Sequence, residues 1–460
     1  MGSFPVLGTF VYLSEMWLHR VMPAISNVAC HTYYRLTTGG AELPHEGPVL
    51  IVANHSNSLM DPALVVVAAH RTVRFMAKSP LFKHPVVGWL VRAVGSVPVY
   101  RRIDDPKLVS QNFDSLRDVH RAIADGYAVG IFPEGISHSA ARLQPLKTGA
   151  ARIALGAAAL RGGAFPIVPM GMVFRDRRTF RSSARVIVGQ SAEWDDLALR
   201  GTEDKEAVRE LTRRIDASMR TVTLNLRSWA DEQIIRCAER IWAAEFGASS
   251  DLGDEMARLQ TATDALARLR LDADSDWRSF ARELRAHDKL LSRLGLTPAS
   301  LKGGVSSETA IWWALRRLPL LFLLPVAAVG LVLFWLPREI TGYFGTKLGL
   351  LEGEDAVPTY RVLLGAIVFT LWFLLLAVLA SFAIGFWGAL VVFLSLPLIG
   401  FGAIAVGETR RMSWVAARRF FAQRFQRERV DALRRRQRDL AERLRSLVDA
   451  PSSLVVKPGR

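Results

Sequence analysis

Val49-Leu50-Ile51-Val52-Ala53-Asn54-His55-Ser56-Asn57-Ser58-Leu59-Met60-Asp61-Pro62 opens as an apolar run and breaks into small polar residues. An apolar run of that length, ended by turn formers, reads as a strand buried on both faces. Comparable short runs stand at 73–76, 97–100, 128–132, 167–173 and 186–188, with helix-like stretches at 107–124 and 146–161 between them. Gly, Pro and charged residues separate these runs. The alternation over residues 34–200 predicts an α/β domain, a sheet covered by helices.

Upstream, Val6, Phe10, Leu13, Trp17 and Val21 recur at helical spacing, so residues 1–33 are expected to hold one amphipathic helix. It is read either as packed on its own domain or as an interfacial membrane helix. Glu15 and Arg20 interrupt the apolar stretch and a basic leader is missing, which argues against a signal peptide. Downstream, 201–310 is charged and helix-periodic, with a turn-forming stretch at 247–253, and reads as a helical accessory region.

The region 311–407 differs in kind. Residues 318–336 form an uncharged run in which Pro319 and Pro325 are expected to kink the chain, and 362–406 carries no charge at all. Because one span takes about 20 residues, the second run is too long for a single crossing and predicts a helical hairpin turning near 381–388. Arg316 and Arg317 before the first run, and the Arg-rich stretch after the last, put basic flanks on both sides. Both flanks then favour the cytoplasmic face, so one apolar segment is expected to dip and return or to lie kinked in one leaflet. Residues 408–460 form a basic C-terminal helix and tail with thirteen Arg between Arg410 and Arg445. Leu433, Leu440, Leu444 and Leu447 recur there at helical spacing; of a lipid-facing helix, a short coiled coil and a solvated face, the lipid surface is the favoured reading.

The 460 residues hold 59 basic against 43 acidic side chains, a formal charge of +16. That suits an anionic lipid surface or a nucleic acid, but no base-stacking or recognition module accompanies it, so no nucleic-acid partner is expected. Arg outnumbers Lys by 50 to 9, a skew common in GC-rich bacterial genomes. Two cysteines, Cys30 and Cys237, exclude a disulfide scaffold or a zinc cluster and suggest a reducing compartment.

Chemistry gathers at the ends of the predicted strands. His55 and Asp61 follow the first, and a carboxylate near an imidazole suits a general base, because it holds the tautomer and stabilises the imidazolium. Taken alone, such a pair is more often structural. Phe132-Pro133-Glu134-Gly135 ends another strand, where Glu134 can accept hydrogen bonds from a polyol. Arg101, after Val97-Pro98-Val99-Tyr100, and Lys147, within Pro145-Leu146-Lys147-Thr148-Gly149, suit a phosphate. Each alone is an ordinary surface charge.

Taken together, in this order and spacing, these blocks resemble the glycerolipid (PlsC-type) acyltransferases. Asn54-His55 with Asp61 is similar to the family's first motif, 97–101 to its second, 132–135 to its third, and Ile167-Val168-Pro169-Met170-Gly171 to its fourth. Within the family, the resemblance is strongest to the fungal-type glycerol-3-phosphate/dihydroxyacetone-phosphate acyltransferases. It rests on Phe132-Pro133-Glu134-Gly135-Ile136-Ser137-His138, the run Leu143–Gly149, residues 182–189 and Val222-Thr223-Leu224-Asn225. The likeness covers about 34–225, weakens toward 300 and is architectural beyond. Two departures stand out: five residues instead of the commoner four separate His55 from Asp61, and Val99-Tyr100 replaces the commoner Ile-Asp before Arg101.

The resemblance implies acyl transfer, in phospholipid synthesis, from acyl-CoA or acyl-carrier protein to a hydroxyl of glycerol 3-phosphate or dihydroxyacetone phosphate. Lysophosphatidate is the alternative acceptor, and a non-catalytic membrane scaffold is the alternative from another class. It also implies His55 as the base, Asp61 as its orienter, Arg101 and Lys147 on the acceptor phosphate, and Glu134 with Gly135 on its glycerol. Neither metal nor cofactor is called for beyond the thioester co-substrate. His138 is the second candidate for the base. The expected partners are an acyl thioester, a phosphorylated glycerol or lysophospholipid, and anionic membrane lipids. The expected location is a bacterial cytoplasmic membrane with the α/β domain facing the cytoplasm.

Overall fold

The computed structural model describes residues 7–83, 87–100, 112–249, 251–271, 276–303, 312, 315 and 324–449. The chain divides into two units: Met1–Arg227 with Asp251–Ala257 and Lys347–Val362, and the remainder.

The first unit is built on β2 (Val49–Ala53), in which every residue is buried. Around it lie β1 (Tyr34–Gly40), β3 (Val73–Lys78), β4 (Val97–Val99), β5 (Ala128–Ile131), β6 (Ile167–Phe174) and β7 (Ser182–Val188), in the order β1-β7-β6-β2-β5-β3-β4. β2 runs parallel to both its neighbours, with Ile51 opposite Gly130 and Val168. β6 and β7 are antiparallel, which makes the sheet mixed.

Helices cover both faces because strands without a polar side must be buried twice. Alternate residues of β2 divide between two cores. Val49, Ile51 and Ala53 meet α1 (Leu7–Tyr33) and α2 (Met60–Ala69). Leu50 and Val52 share the other core with α4 (Asn112–Ala124), α5 (Gly149–Arg161) and α6 (Lys205–Val222). A short α3 (Val87–Ala93) precedes β4. The domain boundary expected at residue 200 is therefore corrected: α6 buries Ala207, Val208, Leu211, Ile215 and Met219 in the sheet's own core. The strand β1 was not expected from the sequence. Its polar residues occupy the sheet edge, where only the pairing to β7 makes it a strand. At the other end of α1, Cys30 and Tyr33 are buried in the core below the sheet, and burial pushes the Cys30 thiol up to about 12.

The second unit holds α7 (Trp229–Phe246), α8 (Leu252–Leu271, past its first turn), α9 (Trp277–Leu294) and α10 (Pro298–Lys302). Two ion pairs, Arg270 with buried Asp231 and Arg258 with buried Glu239, tie α8 to α7. Then come α11 (Leu324–Leu333), α12 (Trp335–Glu352, which ends in the first unit), α13 (Val357–Phe425, from residue 363) and α14 (Arg427–Asp449).

The apolar runs resolve into a bend and a hairpin. Pro319 lies outside the described residues, and Pro325 starts α11 without bending it. The 51° bend falls between α11 and α12. Pro337, in the first turn of α12, cannot donate to Leu333, so α11 ends there. The carbonyl so released accepts instead from the Trp372 indole at 3.0 Å. α13 breaks at Gly385 (φ 72°, ψ 178°), a conformation essentially reserved for glycine. Phe334 stacks near Phe369 and Phe373, at 6.0 and 5.7 Å between ring centroids, and its ring also lies 3.5 Å from where a Cβ on Gly400 would sit. Residues 371 and 400 of a straight helix would be over about 40 Å apart, so the chain doubles back at Gly385, inside the expected turn.

The C-terminal helix corrects a reading. Leu440 and Ala441 are buried against α7 and α9, and Val430 and Leu433 against Leu291, Leu296 and Leu301. The leucine stripe taken for a lipid-facing surface is bundle core.

Gly171 of β6 offers a direct test of the packing of α6. A Cβ there would lie 1.7 Å from the Val222 carbonyl oxygen at the end of α6, a backbone contact that cannot swing away. Gly171→Ala is expected to destabilise the first unit by about 3 kcal/mol. A thermal-unfolding midpoint equal to wild type would refute the close approach.

Candidate active site

The site forms where β2 and β5 end side by side. Asn54 extends the ladder with its side chain: Nδ2 donates to the Met172 carbonyl at 3.1 Å and Oδ1 accepts from its N–H at 2.7 Å. This pins the turn that follows. Met60 N–H then bonds the Asn57 carbonyl and Asp61 N–H the Ser58 carbonyl, with Ser58 at φ 45°. The tight turn takes up the extra residue between His55 and Asp61.

His55 Nδ1 lies 2.9 Å from Asp61 Oδ2, and the same oxygen accepts from the N–H groups of Ser56 and Asn57, both at 2.7 Å. Asp61 is fully buried in the first turn of α2, where the helix N-terminus favours a negative charge. An acceptor on Nδ1 assigns the ring proton to that nitrogen and leaves a lone pair on Nε2. Nε2 meets no partner among the described residues, and the side chain is 20% exposed. The ring stacks on Phe132, with centroids 4.2 Å apart, and Phe132 stacks in turn on Phe75.

Glu134 closes the arrangement from β5. Its buried carboxylate accepts from His55 N–H through Oε1 at 2.9 Å, and from Gln144 N–H through Oε2 at 2.7 Å. The same Oε2 bonds the His138 Nε2–H. Both oxygens are thus engaged by protein, which departs from the expectation of an acceptor free for a polyol: here Glu134 braces two loops. His138 is occupied as well. Its Nδ1 accepts from Ala140 N–H at 3.1 Å, which assigns the proton to Nε2 and leaves no spare lone pair. Gly135 adopts φ 72°, and the Lys147 side chain lies across it, Nζ being 2.5 Å from where a Cβ would stand. Lys147 N–H bonds the Pro133 carbonyl at 2.8 Å and its side chain is exposed. Arg101 lies outside the described residues.

Tyr34, Asn57 and Arg177 also take part, although nothing in the sequence pattern marked them. Asn57 Nδ2 donates to the Tyr34 hydroxyl at 2.8 Å, which donates to the Arg177 carbonyl at 2.6 Å. Burial pushes the Tyr34 phenol far above its ordinary range, so it stays a donor. Arg177 Nη1 returns to the Ser56 carbonyl at 2.6 Å and reaches that of His138 at 3.4 Å.

This region, residues 35–173, matches the family model Acyltransferase. Over these residues the chain is similar to that acyltransferase family. A chloroplastic 1-acyl-sn-glycerol-3-phosphate acyltransferase of Brassica napus is 28% identical over 145 residues, 31% of this chain and 38% of that protein. Glycerol-3-phosphate O-acyltransferase 2 of Saccharomyces cerevisiae is 23% identical over 341 residues, 51% of this chain and 46% of that one. A lyso-ornithine lipid O-acyltransferase of Rhodobacter capsulatus is 32% identical over 131 residues, 27% and 44%. The matched parts thus span less than half the length of these relatives. Among solved structures, the 1-acyl-sn-glycerophosphate acyltransferase of Thermotoga maritima is similar, with a TM-score of 0.34 and 19% identity over 47% of this chain and 86% of that one.

Within the matched region, the two histidines differ in one testable respect. Diethyl pyrocarbonate attacks an imidazole lone pair, so His55 is expected to be modified several-fold faster than His138. Equal rates by mass spectrometry of the folded protein would contradict the assigned tautomers.

Proposed function

We propose that this protein is a membrane-bound O-acyltransferase of phospholipid synthesis, moving a fatty acyl group from a thioester donor to a hydroxyl of glycerol 3-phosphate or dihydroxyacetone phosphate. The observation that carries the reading is the free Nε2 of His55, backed by a buried carboxylate inside the matched domain. Nε2 takes the proton of the acceptor hydroxyl as its oxygen attacks the thioester carbonyl; the tetrahedral intermediate collapses, and the thiolate leaves with the proton. Asp61 holds the ring and stabilises the imidazolium. Lys147 and Arg101 receive the acceptor phosphate, and the backbone of Gly135 lies against its glycerol.

Acceptor choice rests on likeness. The yeast glycerol-3-phosphate O-acyltransferase aligns over the longer stretch, while the plant relatives are named for 1-acylglycerol 3-phosphate. Lysophosphatidate is therefore the second reading. For location, both arms of the uncharged hairpin, 362–384 and 386–406, are roughly 30 Å long, enough to cross the hydrocarbon core. Arg361 precedes the hairpin and Arg410 and Arg411 follow it, which favours one cytoplasmic face for both ends. A bacterial cytoplasmic membrane fits this and the arginine-rich composition.

The test is thiol release from palmitoyl-CoA by detergent-purified protein, with glycerol 3-phosphate and lysophosphatidate in separate reactions. Release with glycerol 3-phosphate is expected, falling by about 10³-fold or more in His55→Ala. Lys147→Ala should raise KM for the phosphorylated acceptor by roughly tenfold, with kcat less affected. Release with lysophosphatidate alone would move the enzyme one step downstream. Silence with both acceptors, repeated with acyl-carrier protein as donor, would favour a scaffold.

A further inference from the structure

A second basic feature lies in the same unit, apart from the residues placed on the acceptor. One face of α6 carries Arg209, Thr212, Arg213, Asp216 and Arg220, at spacings that bring them into line. The segment Arg142-Leu143-Gln144-Pro145-Leu146 runs beside it, and the two line an open cleft of about 540 Å³. That volume is in the range of small-molecule sites, which run to roughly 300–1,000 Å³.

The charges in the cleft are unevenly matched. Asp216 is held by Arg220 at 2.6 Å, and Glu210 takes both Arg213 and Arg214, at 2.7–2.9 Å. Arg142 and Arg209 are exposed, and their guanidinium groups have no partner among the described residues. Two planar guanidiniums lining one cleft suit phosphate oxygens, which they can grip in pairs. A neighbouring protein would instead need a broad, flatter contact.

The wall of this cleft is joined to the proposed base. Gln144 N–H bonds Glu134 Oε2, while Oε1 of the same carboxylate bonds His55 N–H. A ligand seated against 142–146 therefore lies one carboxylate away from the loop that carries His55.

We propose that the Arg142–Arg209 cleft binds the phosphorylated adenosine end of coenzyme A, so that the acyl thioester extends from it toward His55. The identity of the ligand rests on the acyl-transfer reading; the presence of a polyphosphate site does not. The cleft then specifies a CoA thioester as donor, separate from the Lys147 site for the acceptor phosphate.

The experiment is calorimetric titration of the detergent-solubilised full chain with CoA, adenosine 3′,5′-bisphosphate, glycerol 3-phosphate, inorganic phosphate and acyl-carrier protein. CoA and the bisphosphate are expected to bind and to compete with each other. Both should weaken by roughly ten- to a hundredfold in Arg142→Ala/Arg209→Ala, since two charge-assisted contacts are lost. Both side chains are exposed, so the variant should fold, and its unfolding midpoint checks this. Arg142→Glu/Arg209→Glu should abolish CoA binding. Glycerol 3-phosphate affinity should be unchanged in both variants. Unaltered CoA affinity in the two variants would overturn the proposal. So would displacement of CoA by glycerol 3-phosphate or inorganic phosphate, or binding of acyl-carrier protein without CoA. His55→Ala should bind CoA as wild type does while losing acyl transfer; a wild-type protein that binds CoA yet transfers no acyl group would refute the proposed activity and leave the cleft standing.

Discussion

The buried Glu134 carboxylate is the constraint on which the site depends. It accepts hydrogen bonds from the backbone after β2, from the backbone of residue 144 and from His138, so the loop after β2 and the loop after β5 meet on two oxygens. A charge with almost no access to water is tolerated only when donors surround it, and removing one donor would leave it poorly compensated. The loops therefore hold their positions together or not at all. That is the physical reason His55 can be oriented by a turn made of small polar residues.

The sheet supplies the rigidity behind this. β2 and β5 are buried on both faces, and their ends cannot drift without exposing the apolar residues beneath. Asp61 is built into the first turn of a helix whose remaining residues are nearly all buried, so the carboxylate is positioned by packing as well as by hydrogen bonds. The imidazole has one nitrogen held by that carboxylate and a phenyl ring against its face, which leaves it a single open position. Preorganisation of this kind lowers the cost of aligning a base with an incoming hydroxyl.

The second unit follows different rules. Its helices are joined by buried ion pairs and by a leucine stripe that packs inward. Composition could not separate that stripe from a lipid-facing one, because a leucine at helical spacing serves either surface, and only the neighbouring helices decide. The hairpin is the opposite case. Forty-five uncharged residues admit few alternatives, and the break was legible because a doubled-back helix needs a residue tolerant of left-handed φ, here Gly385.

From residue order alone came the α/β alternation, six of the seven strands, the hairpin turn and the pairing of His55 with Asp61, all of which depend on local pattern or short spacing. Tertiary structure decided the rest. It added the polar edge strand β1, which exists only through its partner, and moved α6 into the domain because its apolar face completes the sheet's core. It turned Glu134 from a free acceptor into a brace, occupied both nitrogens of His138, and brought in Tyr34 and Arg177 from far along the chain. Hydrogen-bond partners over a hundred residues apart leave no periodic trace in a sequence; they are selected only when the fold has closed and each buried polar group must find its match.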